Sequence, residues 1–157
     1  MKFSERIKCV SLTNYYKRKI KIDNIKAQYN PDRFKYWKSL HLGPPEEVLN
    51  MRYSPHYRYL SGWYYSDRQP YDRHTSYYKL QKMYGRNDHW IVQKIIEFNR
   101  LLHSIDDNGF QGEITVLSKP LVENPYNSGF EIFEGHHRLT ACLVCGMIKI
   151  PCKVVRI

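Results

Sequence analysis

Five consecutive residues, Glu134-Gly135-His136-His137-Arg138, combine the side chains that bind phosphate groups and act on them. A glycine permits a tight turn and close backbone approach, and the free amides at the start of a helix stabilise an anion. Arg138 adds a charged fork, and the histidines add hydrogen-bond donors or a titrating group. Glu134 can hold a divalent cation such as Mg²⁺ or accept a proton. The pentapeptide predicts a phosphate site, whereas a capped helix with satisfied histidines is the simpler alternative.

The elements around this pentapeptide must place it where a strand ends and a helix begins. Residues 88–108 carry an apolar stripe at steps of three and four, which predicts an amphipathic helix ending at Asn108-Gly109. The stripe consists of Ile91, Ile95, Phe98, Leu102 and Ile105. Apolar patterning predicts strands at 113–117, 130–133 and 148–157 and a helix at 136–144. The sequence therefore predicts an α+β fold with a small mixed sheet.

The first half of the chain has weaker patterns. Residues 7–12 and 20–25 are rich in β-branched side chains, which predicts two strands. Turn residues predict two short helices, one capped by Asp32 and reaching Leu40, the other running from Pro44 to Leu49. Residues 44–85 contain nine of the 14 tyrosines, and we expect this segment to pack on the core as a lid.

Composition limits the class of protein. No stretch approaches about 18 apolar residues, which excludes a transmembrane helix. Charges throughout the first 30 residues exclude a secretory signal, so we expect a cytoplasmic protein. The net charge is +10, and residues 1–40 hold 11 Lys or Arg against three acidic residues.

Basic residues mixed with aromatic ones favour a nucleic-acid surface. The residues concerned are Lys17, Arg18, Lys19 and Lys21, beside Tyr15 and Tyr16. The alternative is a solvated edge strand that lysines protect from pairing with another chain.

The run from Ile95 to Val155, about 60 residues, resembles the ParB/sulfiredoxin superfamily in the order and spacing of its motifs. The motifs are Leu102-His103-Ser104-Ile105, Asn108-Gly109, Ile114-Thr115-Val116, Phe130-Glu131-Ile132-Phe133, the pentapeptide with Ala141, Gly146, Ile150-Pro151 and Val154-Val155. Residues 20–25 look like the opening strand of that family. We therefore expect a single domain of residues 1–157, with a basic strand region at 1–43, the Tyr-rich insertion at 44–85 and a nucleotide-binding core at 88–157.

The resemblance implies a pocket for ATP or ADP, with CTP also possible. By position, its nucleotide-binding residues are Gly135, His136, His137, Arg138, Thr140 and Ser104. Family members include partition clamps, a sulfinic-acid reductase, free-serine kinases and reported nucleases, so the fold does not choose the reaction.

Departures from the family pattern narrow this choice. Sulfiredoxins place a cysteine where this chain has His136, and the chain ends at Ile157, right after the last strand, unlike a partition clamp. The serine kinases keep a His-His-Arg loop and use an acidic base near the first strand, where Asp23 lies. The segment Ser54–Gly62, with Tyr71, resembles stand-alone ParB-like proteins encoded among cell-surface glycan genes, which favours a small-molecule enzyme.

The leading hypothesis is an ATP- or ADP-dependent kinase that acts on a small hydroxyl compound. Its catalytic residues would be Glu134, His137, Arg138 and Asp23, with Glu134 holding Mg²⁺ or acting as the base. The alternatives are a nucleic-acid-binding protein or metal-dependent nuclease, and a nucleotide-sensing module without turnover.

Other histidines and cysteines have simpler interpretations. Cys142 and Cys145 lie in a predicted helix and are expected to be buried thiols rather than zinc ligands. Four scattered histidines are expected to be surface or satisfied residues, namely His56, His74, His89 and His103.

Overall fold

The computed structural model describes residues 2–66 and 74–157. These residues contain six α-helices and five strands, joined by turns and loops. The helices are α1 Phe3–Lys8, α2 Phe34–Leu40, α3 Pro55–Tyr65, α4 Ser76–Met83, α5 Asp88–Asn108 and α6 His136–Val144. The strands are β1 Tyr15–Lys21, β2 Ile25–Lys26, β3 Ile114–Leu117, β4 Phe130–Glu134 and β5 Lys149–Val155. The expected α+β class is confirmed. Tyr71, part of the predicted family motif, lies outside the described residues.

The strands form one mixed sheet in the order β1-β5-β3-β4-β2. β5 pairs antiparallel with β1 and parallel with β3, whereas β4 pairs antiparallel with β3 and parallel with β2. The helix–strand–strand–helix–strand order expected after residue 88 is therefore confirmed.

The sheet is strongly curled because a short link joins its two edges. Only three residues separate Lys21 of β1 from Ile25 of β2, so their Cα atoms are at most about 14 Å apart, whereas four strand spacings in a flat sheet amount to about 19 Å. Across the same face, the Arg18 guanidinium carbon of β1 lies 5.9 Å from the ring centroid of Phe130 in β4. This face is therefore concave, and it carries the core side chains of the sheet.

The core lies between the concave face and the helices. The stripe predicted for α5 is confirmed, since its five apolar residues are each at most 6% exposed. α6 packs against both α3 and α5, and its residues Leu139, Ala141, Cys142 and Val144 are buried among them. Helix α6 is thus held from two sides, which fixes the position of its N-terminus.

The tyrosines of α3 and α4 belong to this core. Tyr59 and Tyr77 are buried, and their rings stack with centroids 5.6 Å apart. The Tyr59 hydroxyl donates to Asn99 Oδ1 over 2.9 Å, and Leu60 and Leu80 are fully buried beside these rings. The segment expected to form a lid thus supplies part of the packing that supports α6.

Four local predictions are wrong. Residues 7–12 were expected to form a strand, but α1 runs to Lys8, and the Lys2 amide donates to Glu5 Oε2 at its start. The strand expected over 20–25 ends at Lys21, where Ile22–Asn24 forms a 3-10 turn. Asp32 does not cap α2; its amide instead donates to Asn30 Oδ1 in a local turn. The helix expected from Pro44 shortens to the 3-10 turn Pro45–Glu47.

Within residues 2–66 and 74–157, none of the helices has the length and apolar character needed to cross a membrane.

Candidate functional site

The junction between β4 and α6 requires a glycine. Gly135 has φ +100°, and a Cβ atom there would lie 2.7 Å from Ile114 Cγ2 of β3. The first intrahelical bond of α6 runs from the Leu139 amide to the Gly135 carbonyl. The amides of the three residues before Leu139 therefore have no acceptor within the helix. The sequence expectation of a free helix N-terminus after Gly135 agrees with this geometry.

A cavity of about 250 Å³ borders the first two residues of α6. His136 and His137 line it from α6, and residues from the loop after β2, from α2, from α3 and from the α4–α5 region line the rest. The lining residues are Gln28, Asn30, Arg33, Phe34, Trp37, Leu49, His56, Gln81, Tyr84, Arg86, Trp90, His136 and His137. We call this space the α6 cavity.

Three histidines meet at the wall of the α6 cavity. The rings of His56 and His136 stack with centroids 4.1 Å apart and planes 27° apart. His137 stands edge-on to His56, with centroids 5.3 Å apart. The Trp37 ring lies 5.7 Å from both His56 and His136 and completes the cluster.

Burial keeps all three imidazoles neutral. It lowers the pKa of His136 to about 3 and that of His137 to about 4, and it holds the pKa of His56 well below the usual value. His56 Nδ1 and His136 Nε2 are buried and have no hydrogen-bond partner among the described residues. Such a buried polar atom costs about 1–3 kcal/mol if it stays unpaired. Both histidines line the α6 cavity, although these two nitrogen atoms are themselves covered.

A hydrogen-bonded chain fixes the third histidine. The Gln81 amide donates to the Tyr77 hydroxyl, and this hydroxyl lies 3.1 Å from His137 Nε2. Burial raises the pKa of Tyr77, so the phenol keeps its proton. Either Tyr77 or His137 can donate in this bond, depending on the tautomer of the imidazole. The contact ties the His137 ring of α6 to Tyr77 of α4.

The mouth of the α6 cavity is positively charged. The Arg33 guanidinium lies 4.2 Å from the Tyr84 ring centroid, and that of Arg86 lies 4.5 Å from the Trp90 centroid. Both arginines are exposed. The lining contains no Asp or Glu among the described residues. With the positive end of the α6 dipole, this arrangement favours an anion.

A second cavity, of about 350 Å³, adjoins the first at Trp90 and His137. Phe98 and Leu101 of α5 give it an apolar wall. Its charged lining residues are Lys94 and Glu97, whose side chains form a salt bridge of 3.1 Å. His137 thus separates a cationic compartment from a more apolar one. We call the second space the α5 cavity.

The other residues of the predicted pentapeptide point elsewhere. Arg138 Nη1 donates to the Glu113 carbonyl over 2.8 Å, so the guanidinium is bound to the start of β3. Glu134 is exposed at the end of β4. Neither of them is among the described residues that line the α6 cavity.

The remaining predicted site residues lie apart from the α6 cavity. Thr140 is fully buried, and its hydroxyl donates to the His136 carbonyl one turn earlier. Ser104 is exposed on α5, and Asp23 is exposed in the turn after β1, where its carboxylate pairs with Arg52 over 3.0 Å. None of the three lines the α6 cavity.

The residues do not fit a metal ion held by the protein. Among the described residues, no three His, Cys, Asp or Glu side chains come together as ligands. Mg²⁺ prefers oxygen ligands, chiefly carboxylates. The described wall of the α6 cavity has no carboxylate. We therefore derive no step through Mg²⁺.

Cys142 is a buried thiol, as the sequence predicts, whereas Cys145 is only half-buried. Burial raises the pKa of the Cys142 thiol to about 12 and that of Cys145 to about 11. All four cysteines are free thiols.

Sequence reasoning missed three residues of the α6 cavity. The sequence predicts His56 to be a surface or satisfied histidine, and its stacking partner His136 lies 80 positions along the chain. Arg33 and Arg86 belong to none of the motifs that the sequence analysis identifies. One signal in the sequence was Pro55 at the start of a helix, since it places His56 in a first turn.

Comparison of the chain with models of protein families, with curated proteins and with solved structures gives no match. The similarity to the ParB/sulfiredoxin superfamily therefore rests on the motifs alone.

Proposed function

We propose that the α6 cavity binds the phosphates of a nucleotide. The observation that carries this proposal is a wall that contains the first two residues of α6 and two arginines and has no carboxylate among its described residues. Neutral histidines and backbone amides donate to phosphate oxygens without the cost of burying a charge of their own. The motif similarity to a nucleotide-binding superfamily supports the same ligand class.

The lining also contains three aromatic side chains, Trp37, Tyr84 and Trp90. The Arg33 and Arg86 guanidinium groups lie over the rings of Tyr84 and Trp90, so a base stacks on these rings only after displacing them. A volume of about 250 Å³ is slightly below the roughly 300–1,000 Å³ of typical ligand sites. A whole nucleotide therefore extends past Trp90 into the α5 cavity or out of the mouth.

The activity we propose is phosphoryl transfer from ATP or ADP to a small hydroxyl compound in the α5 cavity. A bond forms between the acceptor oxygen and the terminal phosphorus, and the bond from phosphorus to the bridging oxygen breaks. His137 lines both cavities and donates a ring N–H to the transferred group. Glu97 is the carboxylate that lines the α5 cavity and is the base that accepts the acceptor's proton. This assignment replaces Glu134 and Asp23, which lie outside the cavity.

We place the activity in the cytoplasm. The free thiols support this location, because Cys9 is exposed and unpaired, which suits a reducing compartment.

The binding proposal is tested by calorimetry with ATP, ADP, CTP and inorganic phosphate. At least one nucleotide should bind, and Arg86→Ala should weaken it about tenfold, or about 1.4 kcal/mol. Arg52→Ala is the matched control, because Arg52 pairs with Asp23 away from the cavity. Equal losses in both variants, or no binding of any nucleotide by the folded protein, would reject the site.

The transfer proposal is tested by nucleotide turnover with a panel of small hydroxyl compounds. Glu97→Gln should lower turnover at least 100-fold and leave nucleotide affinity within about tenfold. Glu134→Gln on the exposed end of β4 is the control and should keep full turnover. Loss of turnover in Glu134→Gln but not in Glu97→Gln would identify Glu134 as the base. Nucleotide binding without any turnover would indicate a nucleotide-sensing module.

A further inference from the structure

We propose that the convex face of β1 and β5 binds the phosphate backbone of double-stranded DNA. This surface is separate from both cavities and does not depend on the proposed function. It is defined by Lys17, Lys19, Lys21, Lys149 and Lys153 and is called the lysine face.

The register puts the five lysines on one side of the sheet. Lys17 pairs with Lys153, and Lys21 with Lys149, in the antiparallel ladder. Directly paired residues share a face, and alternate residues along a strand do too. Lys19 therefore joins them, whereas Arg18 lies on the opposite, concave face. The sequence grouped Arg18 with these lysines, but the strand separates it from them.

Protection of an edge strand does not explain the whole set. β1 is an edge of the sheet, so its lysines alone would fit that role. Lys149 and Lys153 belong to β5, which is paired on both sides by β1 and β3. An interior strand needs no such protection.

The lysine face lacks enough counter-charge. Of its five lysines, only Lys17 forms a salt bridge to a described residue, Glu113 at 3.5 Å. Like charges directly opposite in a ladder destabilise the sheet, and this ladder has two such pairs. An external polyanion removes this repulsion.

The shape favours a duplex. Alternate lysines along a strand are about 6.6 Å apart and neighbouring strands about 4.8 Å apart, so the charges form two rows. These rows lie on the convex side of the curled sheet at its edge, where they meet the phosphates of a duplex without entering a groove. Tyr15 is 42% exposed at the end of the row, with Lys153 Nζ 4.3 Å from its ring centroid.

The test is binding of the full chain to a labelled 20-base-pair duplex over a range of salt concentrations. Affinity should fall steeply with salt, with a slope near −0.9 per phosphate contacted. Replacing Lys17, Lys19, Lys21 and Lys149 by Gln should flatten the log–log slope by about three to four units. The control replaces four other exposed lysines by Gln, which removes the same charge: Lys8, Lys35, Lys79 and Lys119.

Equal flattening by the control set would overturn the proposal, because net charge alone would then explain binding. Tighter binding to a single strand, or binding to vesicles of anionic lipid but not to the duplex, would overturn it as well. A measurement on the unaltered protein is independent of variant folding. Duplex should protect Lys19, Lys21 and Lys149 from acetylation while Lys35 and Lys79 stay reactive, and uniform reactivity would contradict the proposal.

Discussion

His56 and His136 stack face to face with ring centroids 4.1 Å apart, and burial lowers the pKa of both. His137, whose pKa is lowered by burial to about 4, stands edge-on to this pair. The cluster therefore resists protonation as long as the protein is folded. Protonation of any one ring would place a charge beside two other histidines.

Acid should destabilise the protein through this cluster. The folded pKa values lie below the unfolded value of 6.5, so the contribution is complete above about pH 6.5 and is lost as pH falls toward 4. We expect the unfolding free energy to drop by roughly 1–3 kcal/mol per pH unit in that range. Urea unfolding at several pH values measures this drop.

Two variants test whether the cluster is responsible. His136→Phe keeps a stacking ring without a titrating group and should reduce the acid sensitivity. His89→Gln changes an exposed histidine and should leave the acid sensitivity unchanged. Identical pH curves for all three proteins would contradict the prediction.

The contribution of Glu131 to stability should depend on pH in the opposite direction. This carboxyl group is fully buried on β4, and burial raises its pKa from 4.5 to about 7 despite amide bonds from Tyr29 and Leu121. Its contribution is present below about pH 4.5 and is lost as pH rises through 7.

Removing that carboxyl group should therefore flatten the neutral side of the pH profile. Between pH 5 and pH 8, Glu131→Gln should lose less unfolding free energy than the unaltered protein, by up to roughly 3 kcal/mol. Glu134→Gln, three residues later and exposed, should follow the unaltered protein. A Glu131→Gln profile that falls as steeply as before would mean that the carboxyl group titrates normally.

Gly135→Ala should destabilise the fold by about 2–4 kcal/mol, because a left-handed backbone and overpacking against Ile114 both add cost. Gly62→Ala is the matched control, since Gly62 lies in α3 with open space around it. That change should be neutral or stabilising by up to about 1 kcal/mol. Thermal unfolding compares the two, and equal effects would mean that the β4–α6 junction tolerates a side chain.

Arg138→Ala should affect stability more than ligand binding. Its bond to the Glu113 carbonyl is charge-assisted, and loss of such a bond costs about 1.5–3 kcal/mol. Arg100→Ala, on an exposed position of α5, controls for loss of charge. A folded Arg138→Ala variant with unchanged stability but more than tenfold weaker nucleotide binding would place the guanidinium on the phosphates instead.

Local patterns predicted the second half of the fold because its elements carry their own signals. The α5 stripe repeats over about four turns, and glycines mark the ends of α5 and α6. At residues 7–12 the prediction of a strand was wrong. The mostly apolar segment Cys9–Leu12 is too short to distinguish a strand from a turn. Phe3, the buried residue of α1, precedes that run.

The candidate site could be predicted only in part. The helix N-terminus after Gly135 follows from adjacent residues, so the sequence located it. His56, Arg33 and Arg86 come from three other elements and meet the histidines only through packing. The direction of Arg138 depended on the Glu113 carbonyl, which no side-chain pattern reveals.

The pairing of β1 with β5 also has a consequence for the order of folding. Tyr15 is the partner of Val155, so one edge of the sheet joins the two most distant strands of the chain. During synthesis, β1 has no partner until residues 149–155 have left the ribosome, and its alternating lysines keep it extended and hydrated until then. Closure of this long loop is therefore expected to limit the folding rate, and cutting the chain before Lys149 should prevent the sheet from forming.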